Sequence, residues 1–303
     1  MIEIEHLSKR YGSKLAVDDV SFTVRPGIVT GFLGPNGAGK STTMRMIMGL
    51  DRPTTGHAYI DGKPYAQHPA PLHNVGALLE AKAVHTGRTA YNHLLALAAT
   101  HSIPKARVHE VIEMTGLGTV ANKRVGGFSL GMGQRLGIAA ALLGDPQTLI
   151  LDEPVNGLDP EGVRWVREFA RFLAGQGRTV FLSSHLMSEM AQTADHVIVL
   201  GRGRVLADAP IADIIAGGTR KVVHVRTPQG QQLLERISGP DVTVTTTDTG
   251  LLEIAGIGAA QIGEVAAQSG IVLHELTPVA ASLEEAYLEL TQDDVEYRSE
   301  VAR

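Results

Sequence analysis

Residues 34–41 read Gly34-Pro35-Asn36-Gly37-Ala38-Gly39-Lys40-Ser41. An apolar, β-branched run at 29–33 precedes them, and a helix-forming run at 40–48 follows. The stretch fits the pattern G-x-x-x-x-G-K-[ST], in the strand-to-helix context that this pattern requires. Glycines allow successive N–H groups and the helix N-terminus to face a phosphate. The sequence therefore predicts a phosphate-binding loop, and the flanking runs disfavour the alternative of a glycine-rich turn with a solvated lysine.

The loop also predicts the chemistry of its ligand. Lys40 is expected to reach the terminal phosphates of a nucleotide, and Ser41 to ligate Mg²⁺ through its hydroxyl. The predicted nucleotide contacts are Gly34, Pro35, Asn36, Gly37, Ala38, Gly39, Lys40, Ser41 and Thr42.

Around the loop, β-branched runs alternate with helical stretches up to about residue 210, which is typical of a mainly parallel sheet flanked by helices. The strongest predicted strands are 29–33, 148–152, 179–183 and 197–200. The runs 2–4 and 20–24 alternate in polarity, so we expect them to be half-buried and antiparallel. Residues 91–143 have helical periodicity and predict a helical subdomain inserted into the sheet domain.

After residue 218 the pattern changes to a smaller unit. The expected order is β-α-β-β-α-β, the ferredoxin-like arrangement, with strands at 221–226, 242–246, 251–255 and 271–276 and helices at 231–237 and 259–269. A last helix at 282–290 is expected to begin at Ser282, with Glu284 and Glu285 in its first turn. The predicted domains are 1–218, with the helical subdomain at about 81–145, and 219–303, ending in an acidic tail beyond Asp293.

Composition limits the possible functions. The chain has 303 residues, 44% of them hydrophobic, enough to fill two cores. The absence of cysteine excludes disulfides, thiolate metal sites and thiol catalysis. The net charge is −5, but residues 220–303 carry 6 basic and 13 acidic side chains, leaving 21 basic and 19 acidic in the first part, where a triphosphate site is expected. The longest apolar stretch, around 136–143, is too short to span a bilayer.

Two carboxylates follow a buried strand at 148–151. Asp152 and Glu153 lie at the carboxyl end of that strand, on the sheet edge where the phosphate loop is expected. Asp152 is placed to hold Mg²⁺ and Glu153 to orient or deprotonate the attacking water. Without the phosphate loop, two acids after a strand often mark only its exit into solvent.

Residues 128–135, Phe128-Ser129-Leu130-Gly131-Met132-Gly133-Gln134-Arg135, carry a resemblance to the ATP-binding-cassette (ABC) family. Ser129 and Gly131 match the family's signature motif, whereas Leu130 and Met132 replace its usual glycine and glutamine. The departure resembles drug and lantibiotic exporters. A serine hydroxyl and free N–H groups before a helix at 133–143 form another anion site; taken alone, the segment would be an ordinary helix cap.

Further motifs of the resemblance follow in the family's order. Asp159, in Asn156-Gly157-Leu158-Asp159, matches the D-loop at the dimer interface, and His185 the switch histidine that contacts the γ-phosphate. Tyr11 fits the aromatic residue that stacks on adenine, although a tyrosine beside a glycine is also a common turn anchor. Glu80 stands where the family usually has a glutamine that touches Mg²⁺, the same substitution as in antibiotic exporters; the alternative is a solvent-facing side chain.

The resemblance implies a fold and a function. The fold is α/β: a P-loop NTPase sheet domain of ABC type with an inserted helical subdomain, plus a small C-terminal α+β domain. The activity is hydrolysis of ATP with Mg²⁺, with Glu153, His185 and Lys40 as the catalytic residues and Ser41, Glu80 and Asp152 as metal ligands. One partner is a second copy of the chain, with ATP bound between the phosphate loop of one copy and the signature motif of the other. The other partner is a separate transmembrane permease. It holds the chain on the inner face of the cell membrane and exports a drug, an antibiotic or another amphipathic molecule.

Two other classes of function remain as alternatives. A soluble, non-transport ABC protein that acts on ribosomes or DNA usually has two cassettes in one chain or large insertions, and a basic surface. This chain has one cassette and an acidic C-terminal part, so no nucleic-acid partner is expected. A regulatory subunit without catalysis is the third class, and Lys40, Asp152, Glu153 and His185 argue against it.

Overall fold

A computed structural model describes residues 1–80, 84–217, 222–239, 242–247, 250–279 and 282–291. The predicted acidic tail beyond Asp293 lies outside the described residues. The chain forms two compact units, Met1–Ile211 and Ala212–Glu289. This division falls seven residues before the sequence-based boundary, which follows residue 218, because the short helix at Ile211–Gly217 groups with the second unit from Ala212 onward.

The first unit contains a mainly parallel sheet and a smaller antiparallel sheet. Its strands are β1 (Ile2–Tyr11), β2 (Lys14–Val24), β3 (Val29–Leu33), β4 (Thr55–Ile60), β5 (Val75–Leu78), β6 (Thr148–Leu151), β7 (Thr179–Ser184), β8 (His196–Gly201) and β9 (Arg204–Pro210). Its helices are α1 (Lys40–Ile47), α2 (Pro71–Asn74), α3 (Ala90–Thr100), α4 (Lys105–Met114), α5 (Leu130–Leu142), α6 (Pro160–Gly175) and α7 (Met187–Thr193). A further helix, α8 (Ile211–Gly217), follows β9 and belongs to the second unit from Ala212 onward.

The strand order places the ends of five parallel strands side by side. The large sheet has the order β5-β6-β7-β3-β8-β9, in which only the β8–β9 pair is antiparallel. The small sheet has the order β2-β1-β4, and both of its pairs are antiparallel. The predicted parallel sheet and the predicted antiparallel N-terminal strands are confirmed. β1 and β2 extend well beyond the short alternating runs because they remain paired with each other as far as Tyr11 and Lys14.

One apolar core joins the two sheets and α1. It includes buried side chains of β1 and β2, of the centre of the large sheet, and of α1. Phe22, Phe32 and Phe181 meet at its centre, with ring centroids 5.1–5.8 Å apart in tilted arrangements. This core fixes the start of α1, and therefore the phosphate loop, against the carboxyl end of β3.

The predicted inserted helical segment is confirmed: between β5 and β6 the chain forms α3, α4 and α5. The start of α5 corrects the sequence-based boundary, which was residue 133. The helix begins at Leu130, because the Ser129 hydroxyl accepts a hydrogen bond from the Met132 amide (3.2 Å) and caps it there.

The second unit has its own sheet and core. It consists of β10 (Val222–Arg226), α9 (Gly230–Ile237), β11 (Thr243–Thr246), β12 (Leu252–Ala255), α10 (Ala259–Gln268) and β13 (Glu275–Val279). The sheet order is β11-β12-β10-β13 with every pair antiparallel. The element order is the one expected, but the last strand starts at Glu275 rather than 271, because the Ile271 amide still closes the end of α10 on the Ala266 carbonyl (2.9 Å).

The last described helix is α11 (Leu283–Thr291). It begins with the predicted serine cap: the Ser282 hydroxyl accepts from the Glu285 amide at 3.1 Å, and the Glu285 carboxylate accepts from the Ser282 amide at 2.9 Å. These reciprocal bonds form a capping box.

Candidate nucleotide-binding and hydrolysis site

The loop between β3 and α1 depends on its glycines. Gly37 and Gly39 have φ values of 85° and 106°, a region that other residues rarely adopt. A Cβ atom on Gly34 would lie 2.5 Å from the Leu200 carbonyl oxygen, and one on Gly39 would lie 2.5 Å from the Ala16 carbonyl oxygen. The backbone is therefore packed closely on both sides, and it leads directly into the N-terminus of α1.

Lys40 is buried in this loop, with 6% of its surface exposed. Its ammonium group donates to the carbonyl oxygens of Gly34 (2.6 Å) and Pro35 (3.3 Å). Burial lowers the pKa of Lys40, and the carboxylates of Glu153 and Asp152 oppose that shift. A cation with few polar partners and two nearby carboxylates is suited to bind phosphate oxygens.

A cavity of about 360 Å³ opens in front of the loop. Its size falls within the range of small-molecule sites. The lining consists of Tyr11, Lys14, Ala16, Pro35, Asn36, Gly37, Gly39, Lys40, Ser41, Thr42 and Glu153. Gly34 and Ala38 do not line the cavity but form hydrogen bonds within the loop. The Gly34 carbonyl accepts from Lys40, and the Ala38 amide donates to the Pro35 carbonyl at 3.1 Å.

Ser183 joins the two carboxylate residues after β6. Its hydroxyl donates to the Asp152 carboxylate at 2.5 Å and accepts from the Glu153 amide at 2.9 Å. Ser183 is fully buried and lies on β7, the parallel neighbour of β6. A single hydroxyl thus fixes the positions of the Asp152 side chain and the Glu153 backbone.

Glu153 is held on its other side by His185. The His185 Nδ1 lies 2.7 Å from the Glu153 Oε2. Because an ionised carboxylate only accepts hydrogen bonds, Nδ1 carries the proton in this pair. Glu153 also has a φ of 49°, which is strained for a glutamate. His185 holds its carboxylate, and Ser183 holds its amide.

Comparison with known proteins identifies the family of this site. The family model described as "ABC transporter" matches residues 17–156, and a domain of unknown function, DUF8746, matches residues 221–284. The bacitracin transport ATP-binding protein BcrA of Bacillus licheniformis is 43% identical over 213 residues, covering 69% of this chain and 70% of that protein. The lantibiotic transport ATP-binding protein SrtF of Streptococcus pyogenes is 34% identical over 208 residues, covering 69% and 90%. The chain belongs to the ABC transporter family.

A solved structure agrees with this assignment. The dimeric structure of MJ0796, a bacterial ABC transporter cassette, has a TM-score of 0.63 and 25% identity, covering 69% of this chain and 98% of that one. The resemblance to antibiotic and lantibiotic exporters is confirmed, as is the ABC-type P-loop fold. The chain is an ATP-binding and ATP-hydrolysing subunit of an ABC transporter. None of its described helices is long and apolar enough to cross a membrane.

The remaining predicted residues of this ABC ATPase lie outside the cavity lining within the described part of the chain. Ser129 caps α5, and Asp159 caps α6 through a bond from the Gly162 amide (2.8 Å). Gly131 packs against the Gly157 carbonyl and Leu158, so the signature segment and the D-loop are in contact within one subunit. Glu80 is exposed after β5. Of the proposed switch and metal residues, the structure brings His185 and Asp152 to Glu153 and Ser183, but not Glu80.

The residues of this ABC subunit fit a magnesium nucleotide. Ser41 lines the cavity beside Lys40, and Asp152 keeps one carboxylate oxygen beyond the one bonded to Ser183. Within the described ranges no three His, Asp or Glu side chains form a metal cage. The Ser41 hydroxyl and the Asp152 carboxylate suit Mg²⁺, which binds through few protein oxygens together with phosphates and water.

Sequence reasoning missed four residues of this site. Lys14 and Ala16 line the cavity from β2, and their only sequence signal is that they follow Tyr11 by three and five residues. Ser183 lies two residues before the predicted switch histidine, His185, but no role was predicted for it. Gln134, 6% exposed on α5, donates to the Glu153 carbonyl at 3.3 Å, a contact that nothing in the sequence indicates.

Proposed function

We propose that this chain works as a homodimer that binds MgATP between two subunits and drives export through a separate permease. The observation that carries the hydrolytic part is the pairing of Glu153 with His185 at 2.7 Å, where Glu153 lines the same cavity as the buried Lys40. A base, a phosphate-binding cation and a group that orients the base are thus joined at one site.

The proposed mechanism assigns a task to each side chain. Lys40 and the amides at the start of α1 bind the β- and γ-phosphates and stabilise the charge that develops on them. Glu153 accepts the proton of the attacking water. His185, protonated on Nδ1, holds that carboxylate and turns its Nε2 edge toward the γ-phosphate. When bound, Mg²⁺ neutralises phosphate charge, and Ser41 and Asp152 are the residues that would hold it.

The dimer completes the site in this proposal. Ser129 and Gly131 lie outside the described lining of the cavity in their own subunit, yet their helix α5 offers N–H groups suited to an anion. A second subunit could bring them to the γ-phosphate, with Asp159 in the D-loop at the interface. The dimeric form of the MJ0796 cassette supports this arrangement.

The permease and the cargo are inferred from relatives. BcrA and SrtF are named as transport ATP-binding proteins for bacitracin and a lantibiotic, so we propose export of an antibiotic or a similar amphipathic molecule. The permease would hold this chain on the inner face of the membrane, and no nucleic acid is needed. A neighbouring gene for a six-helix permease would support export, whereas one for a secreted binding protein would contradict it.

The decisive experiment uses Glu153→Gln, with Glu168→Gln on α6 as an exposed control. The amide removes the base and keeps the shape of the side chain, so MgATP should trap a dimer that is visible by gel filtration while phosphate release falls. Glu168→Gln should behave as wild type. A Glu153→Gln protein that stays monomeric in saturating MgATP, or releases phosphate normally, would contradict the mechanism.

The phosphate-binding part has its own test. Lys40→Ala removes the buried cation and should abolish hydrolysis and weaken MgATP binding. Turnover and nucleotide affinity of the purified protein measure both effects. Hydrolysis within twofold of wild type would refute the assignment of Lys40.

A further inference from the structure

Tyr11 is anchored at the rim of the nucleotide cavity by a side chain that does not line that cavity. Tyr11 ends β1, lines the cavity and is 47% exposed. Its hydroxyl donates to the Asp51 Oδ2 at 2.9 Å. Asp51 lies in the loop after α1, so a contact between distant parts of the chain sets the position of the ring.

Asp51 is itself held in place. Arg45, in the last turn of α1, donates from Nε to the Asp51 Oδ2 at 2.8 Å and from Nη2 to the Oδ1 at 3.3 Å. This two-point contact fixes the plane of the carboxylate. The hydrogen bond from Arg45 lowers the pKa of Asp51, which keeps the carboxylate ionised at neutral pH.

A third contact occupies one face of the Tyr11 ring. The Lys9 ammonium lies 4.9 Å from the ring centroid, and it also donates to the Arg52 carbonyl at 2.6 Å. A cation at this distance over a tyrosine face is attracted by the ring. The ring therefore has one face covered by Lys9 and its hydroxyl bonded to Asp51, while its exposed part lines the nucleotide cavity.

We propose that Asp51 is a positioning residue for the purine base: it sets the Tyr11 ring for stacking before the nucleotide arrives. The inference rests on the proposed function, in which Tyr11 stacks on adenine. Fixing the ring in advance reduces the conformational entropy that binding must otherwise remove. Because Arg45 belongs to α1, the same helix that starts at the phosphate site also orders the base site.

The test compares two probes that share a triphosphate, MgATP and magnesium tripolyphosphate, which has no base. Asp51→Ala frees the ring and should weaken MgATP binding on the order of 3- to 10-fold, the loss typical of one charged hydrogen bond acting through a neighbour. Binding of tripolyphosphate should not change. Asp51→Asn, whose amide oxygen still accepts from the Tyr11 hydroxyl, should restore most of the MgATP affinity.

Further variants test whether Asp51 affects MgATP binding through the Tyr11 hydroxyl. Tyr11→Phe keeps the ring and loses the hydroxyl, so it should match Asp51→Ala, and the double variant should bind no worse than either single one. Glu110→Ala, which breaks a comparable ion pair with Arg107 (2.7 Å) in the helical subdomain, is the control and should bind as wild type.

The outcomes separate this proposal from the function on which it rests. If Tyr11→Ala leaves MgATP affinity unchanged, the stacking role of Tyr11 fails. If Tyr11→Ala weakens MgATP but Asp51→Ala does not, only the role of Asp51 is overturned. Equal weakening of MgATP and tripolyphosphate by Asp51→Ala would also overturn it, since that pattern indicates general damage to α1.

Discussion

At the scale of single residues, the Ser183 hydroxyl links two residues of the proposed hydrolytic site. Ser183 donates to Asp152 and accepts from the Glu153 amide, so it connects the proposed metal ligand with the backbone of the base. Hydrogen bonds to charged groups contribute about 1.5–3 kcal/mol. Part of that energy serves to hold the Asp152 carboxylate and the Glu153 backbone in place.

We expect Ser183→Ala to lower kcat on the order of 10-fold, with a smaller effect on MgATP affinity, because the methyl group neither donates to Asp152 nor accepts from Glu153. Ser188→Ala, an exposed serine on α7, is the matched control. Steady-state phosphate release measures both variants. A Ser183→Ala enzyme as fast as the Ser188→Ala control would remove the proposed link.

Glu80 tests the resemblance to antibiotic exporters at one position. The side chain is exposed, and its role as a Mg²⁺ ligand is still a prediction. If its oxygen binds the metal, Glu80→Gln should retain substantial hydrolysis and Glu80→Ala should lose on the order of 10²-fold in rate. Mg²⁺-dependent rates of the two variants, with and without the permease, decide the matter. Near-normal rates for both would leave Glu80 as a solvent-facing side chain.

At the scale of elements, α5 and the end of β6 are connected within one subunit. Gln134 on α5 donates to the Glu153 carbonyl, while its own Oε1 is buried without a hydrogen-bond partner among the described atoms. An unpartnered buried oxygen costs stability. We therefore expect the contact between Gln134 and Glu153 to serve activity rather than stability.

Gln134→Leu should therefore separate stability from activity. The leucine has similar volume and no polar atom to satisfy, so the melting temperature should stay equal or rise, whereas kcat should fall because the Glu153 backbone loses a donor. Calorimetry and phosphate release on the same preparation provide both readouts. A lower melting temperature with unchanged kcat would show that Gln134 serves packing alone.

At the scale of the whole molecule, two units have separate cores. The first contains the phosphate loop, both carboxylates and His185, and the second buries its own apolar cluster around β10, β12, α9 and α10. We infer that nucleotide chemistry belongs to the first unit. The acidic second unit is then free to act on dimer lifetime or on coupling to the permease.

A chain ending after Gly217 should accordingly bind MgATP about as well as the full chain. With Glu153→Gln in both backgrounds, the trapped dimer of the short chain should dissociate faster, or coupling to the permease should weaken. Equilibrium binding and gel filtration over time measure these effects. A folded truncation that has lost nucleotide affinity would contradict the proposed division of labour.

The sequence by itself determined the features that depend on neighbours along the chain. The phosphate loop needs glycines at fixed spacing between a strand and a helix, and the helix cap at Ser282 needs only an amide three residues further along the chain. Such patterns are local, so they could be predicted. Boundaries set by capping or by a helix end, as at Leu130 and Glu275, were misplaced because single hydrogen bonds decide them.

Only the tertiary structure decided which distant side chains meet. Ser183 reaches Asp152 because β6 and β7 are parallel neighbours in the register that pairs Leu151 with Leu182. Asp51 contacts Tyr11, and Gln134 contacts Glu153, across sequence separations of 40 and 19 residues. Strand order and register result from the burial of many apolar side chains at once. A polar contact that depends on that order leaves no periodic trace in the sequence.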